Sequence, residues 1–342
     1  MYMKWIAISL SACLALAACH KSGGGPDNAA AATVVYVAGS EGYVAKYWKD
    51  KTAISLTDGA NGARINGLFV SGSDVYGAGY EYSGAGGNGV GKYWKNGTAV
   101  TLSNGSQDVN VKSVFVSGKD VYVAGYSYNN STKKSTAQYW KNDSNTVVTL
   151  TDGTNMATTN SIYVSGSDIY VTGREYNGTA FVAKYWKNGK EVALTDGTHD
   201  GDATAICLSG NDIYVSGTKY IGSSYTAVYW KNGVAVPLTN SGYGSLASAI
   251  AVSGNDVYVA GQEYNGSKYT AKYWKNGVAV PLTDGANNAS ATSIFVSGGD
   301  VYVGGYEYNA TNHGVVKYWK NGVAVAITDG TTYGVATGIW VK

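Results

Sequence analysis

The most compact group of side chains able to do chemistry in this 342-residue chain is His199-Asp200-Gly201-Asp202. An imidazole beside two carboxylates has the right types for acid–base work or for holding a cation. An ordinary polar loop has the same composition, so the group alone defines no reaction. A second series is the Thr-Asp-Gly step at Asp58, Asp152, Asp196, Asp284 and Asp329. One calcium ion needs six to eight oxygens, and these carboxylates are spread along the whole chain, so a turn role for Asp-Gly is the better reading. Glu81, Glu175, Glu263 and Glu307 recur as well. Equivalent places in a repeat lie far apart in space, whereas a glycosidase pair must sit within about 5–9.5 Å. The three histidines are scattered, and no His/Cys/Asp cluster has metal-ligand spacing. No metal and no cofactor is expected.

The elements that must position these residues are repeats. Trp recurs at 48, 94, 140, 186, 230, 274 and 319, always between Tyr and Lys, at spacings of 46, 46, 46, 44, 44 and 45. The run Tyr229 to Thr239 is identical to Tyr273 to Thr283. Around each Trp, four short stretches rich in Val, Ile, Tyr and Phe are separated by Ser-Gly-x-Asp or Lys-Asn-Gly stops, which read as strands and tight hairpins. A fixed period of this length marks a solenoid or a propeller. Stretches such as Val257-Tyr258-Val259 are apolar on both sides, and adjacent Tyr273 and Trp274 must point to opposite faces, so both faces of each sheet are buried. The tryptophans are therefore expected as wedges between sheets.

These features predict an all-β fold over residues 33–342: a seven-bladed β-propeller with four antiparallel strands per blade. The first phrase lacks its innermost strand, because Thr33-Val-Val-Tyr-Val-Ala-Gly already matches the second one. The chain ends with a spare innermost strand, Gly338-Ile339-Trp340-Val341, so the C-terminal strand should join blade one and close the ring. Phrases such as Asp256-Val-Tyr-Val-Ala-Gly resemble the inner strands of bacterial propellers of the YVTN and kelch-like kind. That resemblance covers residues 33–342 and implies the fold alone. The Gly-His to Trp-Asp signature of WD repeats is missing, and no catalytic motif carries over.

The first residues read as an address. Lys4 and the apolar stretch Trp5 to Ala18 form a signal-peptide pattern too short for a stable membrane span. Leu16-Ala17-Ala18-Cys19 resembles the lipobox of bacterial lipoproteins, which implies cleavage before Cys19 and lipidation of Cys19. The expected organisation is a signal peptide over 1–18, a lipidated Gly/Ser/Pro tether over 19–32, then the propeller. His20 follows the cysteine where Asp would mark retention, which resembles sorting to the bacterial outer membrane, facing the periplasm or the surface. Loss of residues 1–18 removes Lys4 and no acid, lowering the formal charge from +2 to +1. Charged residues are 14% of the chain, against a usual level of about 25%. A chain this neutral has no electrostatic reason to bind nucleic acid, and its membrane contact is expected through the lipid anchor only. Cys207 is left without a partner cysteine and is expected as a buried thiol.

The hairpin stops separate two faces of the ring. One face, here called the bottom, has the tight turns and receives the tether. The top carries the longer loops and should look away from the membrane. Blade one is short there: Tyr36 to Tyr47 spans 11 residues, where the other blades take 15 to 17, which predicts a notch in the top rim. Residues just before each innermost strand should surround the axis. Arg64, Asn66, Asn110, Lys112, Asn160 and Asp202 vary in charge and size between repeats and are ligand-binding candidates, suited to hydroxyls or a carboxylate. On the rim, Tyr82, Tyr128, Tyr176, Tyr220, Tyr264 and Tyr308 could stack on a ligand or pack on the neighbouring hairpin. The expected function is non-catalytic binding or scaffolding by a monomer, with a glycan or an envelope or extracellular protein as partner. The alternative is a polysaccharide hydrolase or lyase working at the axial mouth.

Overall fold

The computed structural model describes residues 33–342 except 85, 145, 223, 240 and 241; Cys19, the signal segment and the tether lie outside the described residues. Its strands form seven four-stranded antiparallel sheets set in a ring. Blade one combines Gly334–Val341, innermost, with Val35–Glu41, Val44–Lys49 and Thr52–Ser55. The pairing Val37↔Ile339 and its neighbours ties the two ends of the chain together, so the ring closes as the spare strand foretold. Blade two is Ala63–Ser71, Asp74–Tyr82, Gly89–Lys95 and Thr98–Thr101, and the remaining five blades follow in chain order to blade seven, whose outer strand is Val323–Ala326.

The core lies between blades. All seven Tyr-Trp-Lys tryptophans are buried, with Trp230 at 0% exposure, and each hydrophobic cluster draws on neighbouring sheets. Alternation explains this: Tyr229 and Trp230 point to opposite faces of one strand, and each face meets a different neighbour. Fourth strands carry little of the core and are mostly exposed.

Each innermost strand contains one β-bulge, at Asn66, Lys112, Asn160, Thr204, Ser248, Thr292 and Thr337. A bulge re-aims the extra side chain out of the ladder. In four of the bulges it points at the next blade. Thr337 donates to the Ile65 carbonyl (2.8 Å), Asn66 to Val111 (2.6 Å), Asn160 to Ala203 (2.9 Å) and Thr204 to Ala247 (2.9 Å). The facing second-strand residue is glycine because the bulge pushes a carbonyl against it: a Cβ on Gly217 would stand 2.0 Å from the Asp202 oxygen. The Lys-Asn-Gly hairpins need the left-handed backbone, with Asn276 at φ 50° and Gly277 at φ 83°.

A four-residue ladder lines the bottom of blades two to seven. In blade six, Asp256 binds Lys275 (2.8 Å) and accepts from the Asn276 amide (2.7 Å), Asn276 accepts from the Val257 N–H (2.8 Å), and the Lys275 ammonium stands 5.3 Å over the Tyr258 ring. The chain enters on this same face: Val34 pairs with Lys342, whose ammonium reaches the Gly72 carbonyl of the next tight turn.

Candidate functional site

The short hairpin of blade one leaves a cavity of about 820 Å³ in the top rim, between blades one and two. Its walls are the hairpin tip at Gly42 and Tyr43, the connection Gly59–Arg64, Tyr82 with the glycine-rich hairpin of blade two, and Tyr333 from the loop that returns from blade seven. The reason for the opening is local. In blades two, four and seven the top hairpin carries an Asn whose amide clamps the following Asp-Gly or Asn-Gly loop: Asn88 to Gly105 (3.0 Å), Asn177 to Gly197 (3.0 Å) and Asn309 to Gly330 (2.9 Å). Blade one turns at Gly42-Tyr43 and has no residue in that place, so its Gly59 loop lines the cavity instead.

The tyrosines around the notch are held by main-chain bonds. Gly42 donates to the Tyr333 carbonyl (2.9 Å), Ala63 to the Tyr43 carbonyl (3.0 Å), and Tyr82 to the Gly62 carbonyl (2.9 Å). Gly62 lies between two rings: a Cβ there would stand 3.1 Å from Tyr82 Cδ2 and 3.6 Å from Tyr43 Cδ1. Tyr43 is 75% exposed, Tyr82 41% and Tyr333 37%. Tyr333 is steadied by Tyr308, hydroxyl to hydroxyl at 3.0 Å; burial first, and then this bond, raise the Tyr308 pKa. The result is three exposed aromatic faces on a fixed backbone, with a glycine floor between two of them.

The axial candidates separate into two tiers. Asn66, Lys112 and Asn160 are buried at the bulges, where Asn66 and Asn160 join neighbouring blades and the Lys112 ammonium stands 5.7 Å over the Tyr126 ring. Asn110 and Asp202 sit two residues before their bulges and accept from those asparagines, at 3.4 Å from Asn66 and 2.7 Å from Asn160. Arg64 occupies the same place in blade two, is exposed, and lines the notch. Asp202 also faces Arg174 at 3.6 Å. Enclosure by the other blades pushes the Asp202 carboxyl up, and Arg174, Asn160 and Lys112 oppose that rise. Burial likewise lifts the Tyr126 phenol to about 12.

Along the rim, Tyr82, Tyr176, Tyr220, Tyr264 and Tyr308 each rest against another aromatic ring, such as Tyr176 on Phe181 at 5.4 Å and Tyr264 on Tyr269 at 5.2 Å; Tyr128 is half-buried. The His199 group is dispersed. His199 bonds Thr198 and stacks on Tyr220, Asp200 accepts from the Phe181 N–H, and Asp202 turns to the axis. The Thr-Asp-Gly carboxylates close their own turns, as Asp284 does on the Ala286 N–H (2.9 Å). Glu81, Glu175, Glu263 and Glu307 each pair with a lysine of the same blade. Among the described residues no three His, Cys, Asp or Glu side chains cluster as metal ligands. Tyr43, Tyr333 and Arg174 were not singled out from the sequence. The shortened blade one marked the place of the first, but only the ring brings Tyr333 from the far end of the chain to meet it.

The fold defines the class: a seven-bladed β-propeller. No protein-family model matches the chain, and no curated protein is similar to it. Among solved structures it is similar to the acylaminoacyl peptidase of Pyrococcus horikoshii, with 11% identity and a TM-score of 0.54, over 89% of this chain and 52% of that one. It is also similar to the β-propeller domain of the Trilobed protease from Pyrococcus furiosus, with 12% identity and a TM-score of 0.52, over 87% and 95%. The chain thus spans about half the length of the peptidase, and at this identity the likeness concerns the fold. The Pyrococcus furiosus domain is described as having an open velcro topology, whereas the present ring is closed by Gly334–Val341.

Proposed function

We propose that this chain is a lipid-anchored envelope protein whose propeller binds a glycan, without catalysis, at the top-rim notch of blades one and two. The observation that carries the reading is the placement of Tyr43 and Tyr82 on either side of Gly62, with Tyr333 beside them, all exposed and all fixed by main-chain bonds. Sugar rings offer apolar C–H faces and outward hydroxyls. Rigid tyrosines meet the first with little loss of entropy and the second with their phenols. A cavity of about 820 Å³ has room for a few sugar units.

Binding without turnover is supported by the glutamates, which are held in ion pairs, and by the dispersal of the His199 group. Anchoring through Cys19 fits the chain entering at the bottom face, which would turn the notch outward. The test is a glycan array probed with the full chain and with Tyr43→Ala/Tyr82→Ala. Binding by the parent that the double variant loses is expected. Silence of the parent on the array, with a stable protein partner recovered from envelope extracts, would replace the glycan with a protein. Incorporation of labelled fatty acid, abolished in Cys19→Ala, tests the anchor.

A further inference from the structure

We propose that the notch selects acidic sugars and that Arg64 reads their carboxylate. This inference rests on the glycan reading above and adds the chemical class of the ligand.

Charge in the notch is one-sided. Of the residues that line it, Arg64 alone is charged, and no acid faces it across the cavity. The other cations nearby are already matched. Lys46 binds Glu41 (2.7 Å) and Lys92 binds Glu81 (2.5 Å) on the flanking strands of blades one and two. Arg174, the second arginine of the chain, faces Asp202 and lies 4.4 Å over the Phe181 ring. Among the described residues, no carboxylate comes within ion-pair distance of Arg64, although its side chain is exposed. A guanidinium in a partly enclosed site favours an anion, and its planar fork matches the two oxygens of a carboxylate.

The position fits as well as the charge. Arg64 pairs in register with Tyr80 near the inner end of the notch, while Tyr43, Tyr82 and Tyr333 stand around the rest. A sugar lying against the tyrosines can turn its carboxylate inward to Arg64. The outer lip allows close approach: Gly84 and Gly86 have φ of 132° and 74°, and a side chain there would meet nothing within 4 Å. A ligand can therefore contact the main chain directly, where a bulkier lip would hold it off.

The experiment compares acid with ester on one backbone. The full chain is probed with an array of uronic-acid oligomers of several linkages, each beside its methyl ester, and affinities of the best pair are measured by titration. The acid should bind at least about tenfold more tightly than its ester, the scale of one charge-assisted hydrogen-bonded pair, and added salt should narrow the gap. Arg64→Gln should erase the difference by bringing acid affinity down to that of the ester, and Arg64→Lys should keep only part of it. Because Arg64 is exposed, an unchanged melting temperature shows that these variants are folded. Equal binding of acid and ester, or a preference that survives Arg64→Gln, overturns the role of Arg64 and leaves glycan binding standing. Failure of every acid and ester, with neutral glycans bound on the general glycan array, also overturns it. Failure of all glycans removes both readings.

Discussion

Asn66 donates its amide to the carbonyl of Val111 at 2.6 Å, from the bulge of blade two to the inner strand of blade three. A polar residue that the sequence places near the axis thus joins two blades. Loss of this bond leaves a buried carbonyl without its partner, so Asn66→Ala should cost about 1–3 kcal/mol. Arg64→Gln, two residues away but exposed, should stay within about 0.5 kcal/mol of the parent. Urea unfolding of the two variants side by side checks the contrast. Equal losses would mean that the bulge ring contributes no more than the surface does.

Trp230 is fully buried between blades four and five at 0% exposure. Trp230→Ala should destabilise the ring by about 3–5 kcal/mol, through lost burial and the cavity left behind. Trp230→Phe should recover much of that. The midpoint of denaturant unfolding is the measurement, and an alanine variant as stable as the parent would deny the tryptophans their role as wedges.

Stability should change with pH in two opposed ways. Asp74, Asp120, Asp168, Asp212, Asp256 and Asp300 have lowered pKa values, first because each accepts a hydrogen bond from its lysine and then from its asparagine. A lowered pKa in the folded state adds stability that is present above the unfolded value, about 3.9, and disappears as pH falls through the folded one. Asp202 has the opposite sign: enclosure raises its pKa, so folding gains as pH drops through that raised value towards about 3.9. The melting temperature should therefore rise slightly on mild acidification and then fall below about pH 4. Asp202→Asn keeps the acceptor for Asn160 and should flatten the upper limb alone. Asp256→Asn should weaken the acid limb.

Closing the notch should weaken binding without harming the fold. Gly62 is free of the left-handed backbone, so a larger residue is tolerated by the chain but would push between Tyr43 and Tyr82. Gly62→Val should reduce glycan affinity by tenfold or more, on the order of 1.5 kcal/mol or above. Tyr43→Ala should lose a similar amount through the missing ring face. Titration against the best array ligand reads both effects. Full affinity in both variants would move the site to another part of the rim.

Much of this molecule is written in the order of its residues. The Tyr-Trp-Lys period, the Asn-Gly hairpins and the spare strand Gly338-Ile339-Trp340-Val341 determine seven blades and their closure, because β-alternation and turn geometry are local and repeat with the chain. The 11-residue step from Tyr36 to Tyr47 likewise marks the notch. Three-dimensional packing decided what the polar residues do there. Asn66 and Asn160 sit at bulges, and a bulge is a property of the pairing between strands that composition does not reveal. The ladder of Asp256, Lys275, Asn276 and Tyr258 joins residues on neighbouring strands about 20 positions apart, so it too became visible only in the register. Tyr43 and Tyr333 face one cavity because the last strand returns to the first blade. A contact between residues nearly 300 positions apart depends on ring closure, and no local pattern in the sequence specifies which side chains will meet across it.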